Sequence, residues 1–262
     1  MNELLEWIWH KTIDSNITTQ LNPIGYVLGG QPGAGKSKLT EKIQDASSYN
    51  ILVINADEFR KYHPHYHEFQ IQNDKTSQDK TSNFIAEATE YMLKRAIKNR
   101  FNLVVEGTFR TATTPIKTLK LLKENNYQTS VNILLTSQEL SWASCVERYE
   151  KAIKFKRHTP KAHHDLVISK IAQNIDEVLQ SKLADKLEIF IRDFNGELID
   201  LFSSKKDIYS QDLVNKILEC TTQNELENII KNKKMIHNIL EIKENLQNTN
   251  ENNTSCRPRF KP

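Results

Sequence analysis

The sequence predicts an α/β fold: a mainly parallel sheet flanked by helices, finishing in an antiparallel hairpin and followed by C-terminal helices. Three observations predict it. Short β-rich runs recur at Ile24 to Leu28, Ile51 to Asn55, Leu103 to Val105 and Val131 to Leu135. The stretches between them are long enough for the crossover helices that parallel pairing requires. The first run leads straight into a glycine-rich turn, Gly30 to Ser37, of the kind that opens a helix.

Taken in order, residues 3–20 read as a leading helix, with Leu4, Leu5, Ile8 and Trp9 at helical spacing and a stop near Asn22-Pro23, so that 1–22 forms a leading segment. Residues 23–205 form the main domain, with a lid near 140–165. After the four runs comes a strand at Leu187 to Arg192, a tight-turn pair Asn195-Gly196, and a returning strand at Leu198 to Phe202. Beyond Asp212 the pattern is helical, and Leu226, Ile229, Ile230, Ile236, Ile239 and Leu240 fall on one apolar face. Residues 206–245 are therefore expected to be helices packed on the same domain. From there on Asn, Thr and basic residues dominate, which predicts a disordered tail over 246–262.

Composition narrows the classes. With 36 basic and 33 acidic residues the net charge of +3 is too small to attract nucleic acid electrostatically, while a small anionic substrate remains compatible. The three cysteines, Cys145, Cys220 and Cys256, are odd in number and lack CxxC spacing, which disfavours a disulfide framework and a structural zinc site and fits a reducing cytoplasm. The start carries Glu3 and Glu6 in place of a basic leader, and no run reaches the roughly 18 apolar residues of a membrane span, so a soluble cytoplasmic protein is expected.

The turn Gly30-Gln31-Pro32-Gly33-Ala34-Gly35-Lys36-Ser37 has the Gly-x4-Gly-Lys-Ser pattern, which sets backbone N–H groups around phosphate oxygens at a helix N-terminus. In this reading ATP is the nucleotide, Lys36 reaches its β- and γ-phosphates, and Ser37 offers its hydroxyl to Mg²⁺. Glycine is used sparingly here: of seven in the chain, Gly25, Gly29, Gly30, Gly33 and Gly35 crowd around this turn. That economy favours a phosphate cradle over an accidental match. The fold expected is thus P-loop kinase-like.

Two acidic motifs fall at the ends of later strands, where open α/β sheets collect ligands. Asp57, in Asn55-Ala56-Asp57-Glu58-Phe59-Arg60, is placed to take the proton of a substrate hydroxyl during phosphoryl transfer, or else to cap a helix. Glu106, in Glu106-Gly107-Thr108-Phe109-Arg110, can hold Mg²⁺ through water, with Thr108 and Arg110 towards substrate, or else mark a plain turn. Arg148 and Arg157 are candidates to neutralise the transferring phosphoryl group, but Lys151, Lys154 and Lys156 share the stretch, and spacing does not choose among five cations. His63, His65 and His67 read as a polar loop more readily than as metal ligands. His163-His164-Asp165 reads as a helix start, since no nucleophile elbow accompanies it.

Together these blocks, in the order phosphate loop, Asn-Ala-Asp-Glu-Phe-Arg with His63-Pro64 after it, Asn-Leu-Val-Val-Glu-Gly-Thr-Phe-Arg, Glu-Arg-Tyr-Glu, and Arg-His-Thr-Pro-Lys-Ala-His-His-Asp, resemble the bacterial zeta-toxin family from about Leu21 to Phe202. The resemblance implies a toxin–antitoxin kinase that phosphorylates the 3′-hydroxyl of the sugar in UDP-N-acetylglucosamine and so inhibits synthesis of cell-wall precursors. It implies Lys36 on the ATP phosphates, Asp57 as general base, and Arg148 and Arg157 on the transferring phosphate. It assigns substrate contacts to Glu90, Thr108, Arg110 and Thr118, puts Glu106 near the metal, and implies an antitoxin that blocks the nucleotide site. One departure stands out: only eight residues separate Arg148 from Arg157, a shorter lid than the family leads one to expect, in which Lys154 or Lys156 is an alternative to Arg157. A P-loop kinase for another hydroxyl (another UDP-sugar, a dinucleotide, an antibiotic) and a nucleotide-dependent binding switch are the competing readings.

Overall fold

The computed structural model describes residues 2–202 and 210–233. Its elements run α1 (Asn2–Thr12), β1 (Ile24–Gly29), α2 (Lys36–Ala46), β2 (Leu52–Asn55), a 3₁₀ helix (Ala56–Tyr62), α3 (Tyr66–Asn73), α4 (Ser77–Lys80), α5 (Ser82–Lys98) and β3 (Leu103–Glu106). They continue with α6 (Thr113–Glu124), β4 (Gln128–Leu135), α7 (Gln138–Lys151), α8 (Lys161–Gln180), β5 (Lys186–Arg192), β6 (Leu198–Phe202), α9 (Gln211–Glu219) and a helix α10 over 223–233. The sheet order is β2-β3-β1-β4-β5-β6; every pairing is parallel except β5 with β6. This is the mixed α/β, P-loop kinase-like sheet with a terminal hairpin that the strand pattern predicts.

Successive strand residues point to opposite faces, and the core divides accordingly. Val27, Val131, Ile133, Leu135, Ile189 and Ile191 face a large cluster that takes in residues of α1, α5, α6, α8, α9 and α10. Leu28, Val104, Leu134 and Phe190 face the other way, onto Leu39 and Ile43 of α2. Among the described residues α2 is the helix that fills this smaller cluster, on the face that bears the phosphate loop. On the large face Leu226 and Ile230 of α10 are buried and Ile229 packs beside them, as their spacing predicts.

The leading helix is shorter than its spacing predicts. It stops at Thr12, whose hydroxyl turns back to the Ile8 carbonyl at 2.8 Å, and the Asp14 carboxylate then accepts from the backbone N–H of Asn16 at 3.1 Å. Side chains that bond nearby backbone in this way compete with helix, and apolar spacing alone does not register them. β4 begins earlier than expected, at Gln128, because Gln128 N–H bonds the Pro23 carbonyl and extends the pairing with β1. The apolar positions Ile236, Ile239 and Leu240, Cys256 and the tail expected over 246–262 lie outside the described residues. Among the described residues no helix is long and apolar enough to cross a membrane.

Candidate active site

β1, β2 and β3 end side by side, with Leu28, Glu106 and Asn55 in register, so the phosphate loop and both acidic motifs open on one edge of the sheet. The loop's shape depends on left-handed backbone at Gly33 (φ 78°) and at Gly35 (φ 92°), the N-cap of α2. A Cβ on Gly33 would sit 2.0 Å from the Ser141 carbonyl oxygen, so no other residue fits there. Gln31 is fully buried and its Nε2 donates to the Thr136 carbonyl at 2.6 Å, tying the loop to the end of β4. Pro32 and Ala34 complete the turn, and Ala34 N–H donates to the Gln31 carbonyl at 3.1 Å. Ser37 is exposed on the first turn of α2.

Lys36 folds across the loop, its Nζ donating to the carbonyls of Gly30 (2.9 Å) and Gln31 (3.2 Å). Burial pushes its pKa down to about 8; the Glu106 charge opposes that shift, Arg157 adds to it, and Asp57 and Arg148 act more weakly. Charged groups from four separate segments therefore meet around one ammonium.

Asp57 follows β2 in the first turn of the 3₁₀ helix. The cap of that helix is Asn55, whose Oδ1 accepts from Asp57 N–H at 3.1 Å, so the Asp57 carboxylate is free of capping duty. Its Oδ1 accepts from Arg60 Nε at 3.0 Å and its Oδ2 from Arg157 Nη2. Burial pushes this carboxyl up, but Arg157 and Arg60 together outweigh it and hold the pKa below the usual aspartate value. Arg60 is itself fixed by the Gln78 carbonyl (2.7 Å) and Thr81 Oγ1 (2.6 Å). Glu106 is equally well held: Thr40 Oγ1 donates to one oxygen at 2.6 Å and Asn55 Nδ2 to the other at 2.8 Å. Thr40, Asn55 and Arg60 were not singled out by sequence; Asn55 and Arg60 had a signal, as the first and last residues of the Asp57 motif, and Thr40 had none.

Thr108 is half-buried and Arg110 exposed beyond Gly107. Between them Phe109 takes a left-handed φ of 54°, and buried Asn174 donates to its carbonyl at 2.8 Å, so α8 holds this turn in its unusual shape. Arg148 stands on the last turn of α7 with Nη2 3.2 Å from Thr159 Oγ1. The irregular part of the lid is residues 152–160. Gln70 and Gln78 donate to the carbonyls of Lys156 (3.2 Å) and His158 (2.7 Å), and Phe155 stacks on Tyr66. Of the lid cations, Arg157 turns in to Asp57, Lys156 lies over the Tyr149 ring and Lys154 is exposed.

Glu90 and Thr118 stand apart from this cluster. Glu90 is exposed on α5 and pairs with Lys94 at 2.5 Å, and buried Thr118 donates to the Thr114 carbonyl of its own helix at 3.1 Å. His63 packs edge-on against Phe84, and His65 faces Glu68 at 3.2 Å. Ser141 Oγ, His164 Nε2 (2.9 Å) and Asp165 beside His164 Nδ1 (3.3 Å) line up like a hydrolase triad, but Ser141 and His164 are fully buried. They join α8 to the turn of α7 that backs Gly33.

The donors at the loop suit a magnesium ion: Ser37 and Glu106 offer oxygen only, and a carboxylate with two donors already bound keeps lone pairs for a metal-bound water.

Comparison with known proteins identifies the family. The Zeta toxin family model matches residues 10–207. Toxin PezT of Streptococcus pneumoniae serotype 4 is 35% identical over 175 residues, covering 65% of this chain and 69% of that protein. Toxin zeta of Streptococcus agalactiae is 28% identical over 228 residues, covering 83% and 77%. Among solved structures, one from the PezAT chromosomal toxin–antitoxin system of Streptococcus pneumoniae superimposes with a TM-score of 0.73 at 25% identity, covering 92% of this chain and 97% of that one. The chain belongs to the zeta-toxin family.

Proposed function

We propose that this protein is a kinase that transfers the γ-phosphoryl group of ATP to the 3′-hydroxyl of the sugar in UDP-N-acetylglucosamine. The observation that carries it is the meeting of Asp57, from the end of β2, with Arg157, from the lid, beside Lys36 of the phosphate loop. A donor-phosphate cradle, a carboxylate and a lid cation on one edge of the sheet form a two-substrate site.

In the reaction the sugar hydroxyl oxygen forms a bond to the γ-phosphorus, the bond from that phosphorus to the β,γ-bridging oxygen breaks, and ADP leaves. Asp57 takes the hydroxyl proton. With two arginines on it, Asp57 is a weak base in the free protein and chiefly orients the hydroxyl. Once Arg157 and Arg148 engage the transferring phosphoryl group, Asp57 loses part of its cationic company and its basicity rises where the proton must be received. Magnesium held near Ser37 and Glu106 would neutralise charge on the phosphates. Thr108 and Arg110 border the acceptor side. Glu90 and Thr118 are offered as acceptor contacts by the family resemblance alone, and both would have to exchange their present partners. The family and the PezAT likeness further support an antitoxin partner, and the family resemblance implies that it blocks the nucleotide site.

The test is incubation with ATP, Mg²⁺ and a panel of UDP-sugars, dinucleotides and oligonucleotide ends, with phosphorylated products read by mass spectrometry. A phosphorylated UDP-N-acetylglucosamine is expected. Asp57→Asn should bind ATP like the parent protein and lose transfer by about a hundredfold or more. Product on another acceptor would replace the substrate assignment, and no product from any acceptor with folded protein would overturn the kinase reading.

A further inference from the structure

The phosphate loop has a brace outside its own motif. Arg192 is the last residue of β5 and is half-buried. Its Nη2 donates to the Gly33 carbonyl at 3.0 Å and to Ser144 Oγ of α7 at 3.0 Å. Its own carbonyl accepts from Thr136 Oγ1 at 2.7 Å, at the end of β4. Its stem lies against Gly35, where a Cβ would come within 3.1 Å of Arg192 Cδ.

These contacts constrain the cradle. In a planar trans peptide the C=O and the next N–H point opposite ways. Drawing the Gly33 carbonyl out to Arg192 therefore turns Ala34 N–H inward, where it closes the turn onto the Gln31 carbonyl at 3.1 Å. The guanidinium also lies beside Gly35, the N-cap of α2, and so adds a full positive charge to the partial one of the helix end. Its Nε is buried with no hydrogen-bond partner among the described residues, and burial pushes its pKa down, both marks of a cation held away from water. An arginine keeps its charge under such conditions where a lysine need not.

We propose that Arg192 is a positioning residue for nucleotide binding, which holds the Gly33 peptide outward and sets a fixed positive charge behind the loop, so that the cradle is pre-formed for a polyphosphate. It rests on the reading of Gly30 to Ser37 as a nucleoside-triphosphate loop.

Titration calorimetry with Mg²⁺ and either ATP or inorganic tripolyphosphate separates the possibilities. Arg192→Gln should weaken both ligands by about tenfold, and Arg192→Lys, which keeps the charge without the fork, should recover part of the loss. ATP weakened with tripolyphosphate unchanged would mean that Arg192 meets the nucleoside, and would overturn the proposal, as would unchanged binding of both. If Arg192→Gln does not fold, Ser144→Ala decides, since it frees one donor of the brace: a loss of about two- to threefold on both ligands is expected, and no loss overturns it. Parent protein that binds neither ligand removes the underlying reading of the loop, a result distinct from any effect confined to the variants.

Discussion

Lys36 is held between opposing demands. Burial drives its pKa down to about 8, and among the described residues its ammonium hydrogen-bonds two carbonyls of its own loop. It is still charged at neutral pH, so the loop presents a cation with little water around it, poised for an anion. A bound phosphate stabilises the charged form and raises this pKa, so above about pH 8 binding must first recapture a proton. The sign follows: affinity for ATP is flat below about pH 8 and falls as pH climbs beyond it, approaching about tenfold per unit until the pKa of the bound state is reached. Calorimetric titrations between pH 7 and 9.5 check this. Lys36→Met should bind weakly at every pH and lose the slope; a parent protein whose affinity stays level across that interval would show that Lys36 does not face the phosphates.

At the level of elements, the lid is governed by what lies under it. Residues 152–160 pack few apolar groups inward, and Ile153 is 94% exposed. The segment is held instead by the stack of Phe155 on Tyr66, by Gln70 and Gln78 on its carbonyls, and by Tyr149 OH, which donates to Asp74 at 2.8 Å. All of these partners come from α3, α4 or the turn between them, so those short helices act as the seat of the lid. Phe155→Ala removes the stack, worth about 0.5–1.5 kcal/mol, and leaves Arg157 in place. The expected result is a transfer rate lowered by about three- to tenfold, faster proteolytic cleavage within 152–158, and little change in melting temperature. Cleavage and rate both unchanged would mean that the two glutamine contacts hold the lid without the rings.

For the molecule as a whole, signals confined to a few neighbouring residues were legible and those that join distant segments were not. The strand runs, the glycine crowding and the acids at strand ends are local, and they placed the phosphate loop, Asp57 and Glu106 on one edge of the sheet. The Arg192–Gly33 bond spans 159 residues and the Asn174–Phe109 bond 65, and neither end advertises the other. The same limit applies to α10, whose apolar face and packing on the domain were expected but whose individual partner residues were not. Leu226 and Ile230 enter the main core, and Gln223 bonds both Phe194 N–H (3.2 Å) and the buried Asp193 carboxylate (3.3 Å), next to Arg192. The last described helix therefore packs into the same core as the sheet, and we propose that the two unfold as one unit. Leu226→Ala opens a cavity in that core and should cost about 2–5 kcal/mol, a fall in melting temperature of about 5 to 15 °C, whereas Lys231→Ala on the exposed side should change it by less than about 2 °C. Thermal unfolding by circular dichroism and calorimetry checks both. One transition that moves as a whole places α10 within the unit, and a Leu226→Ala protein that melts with the parent would detach it.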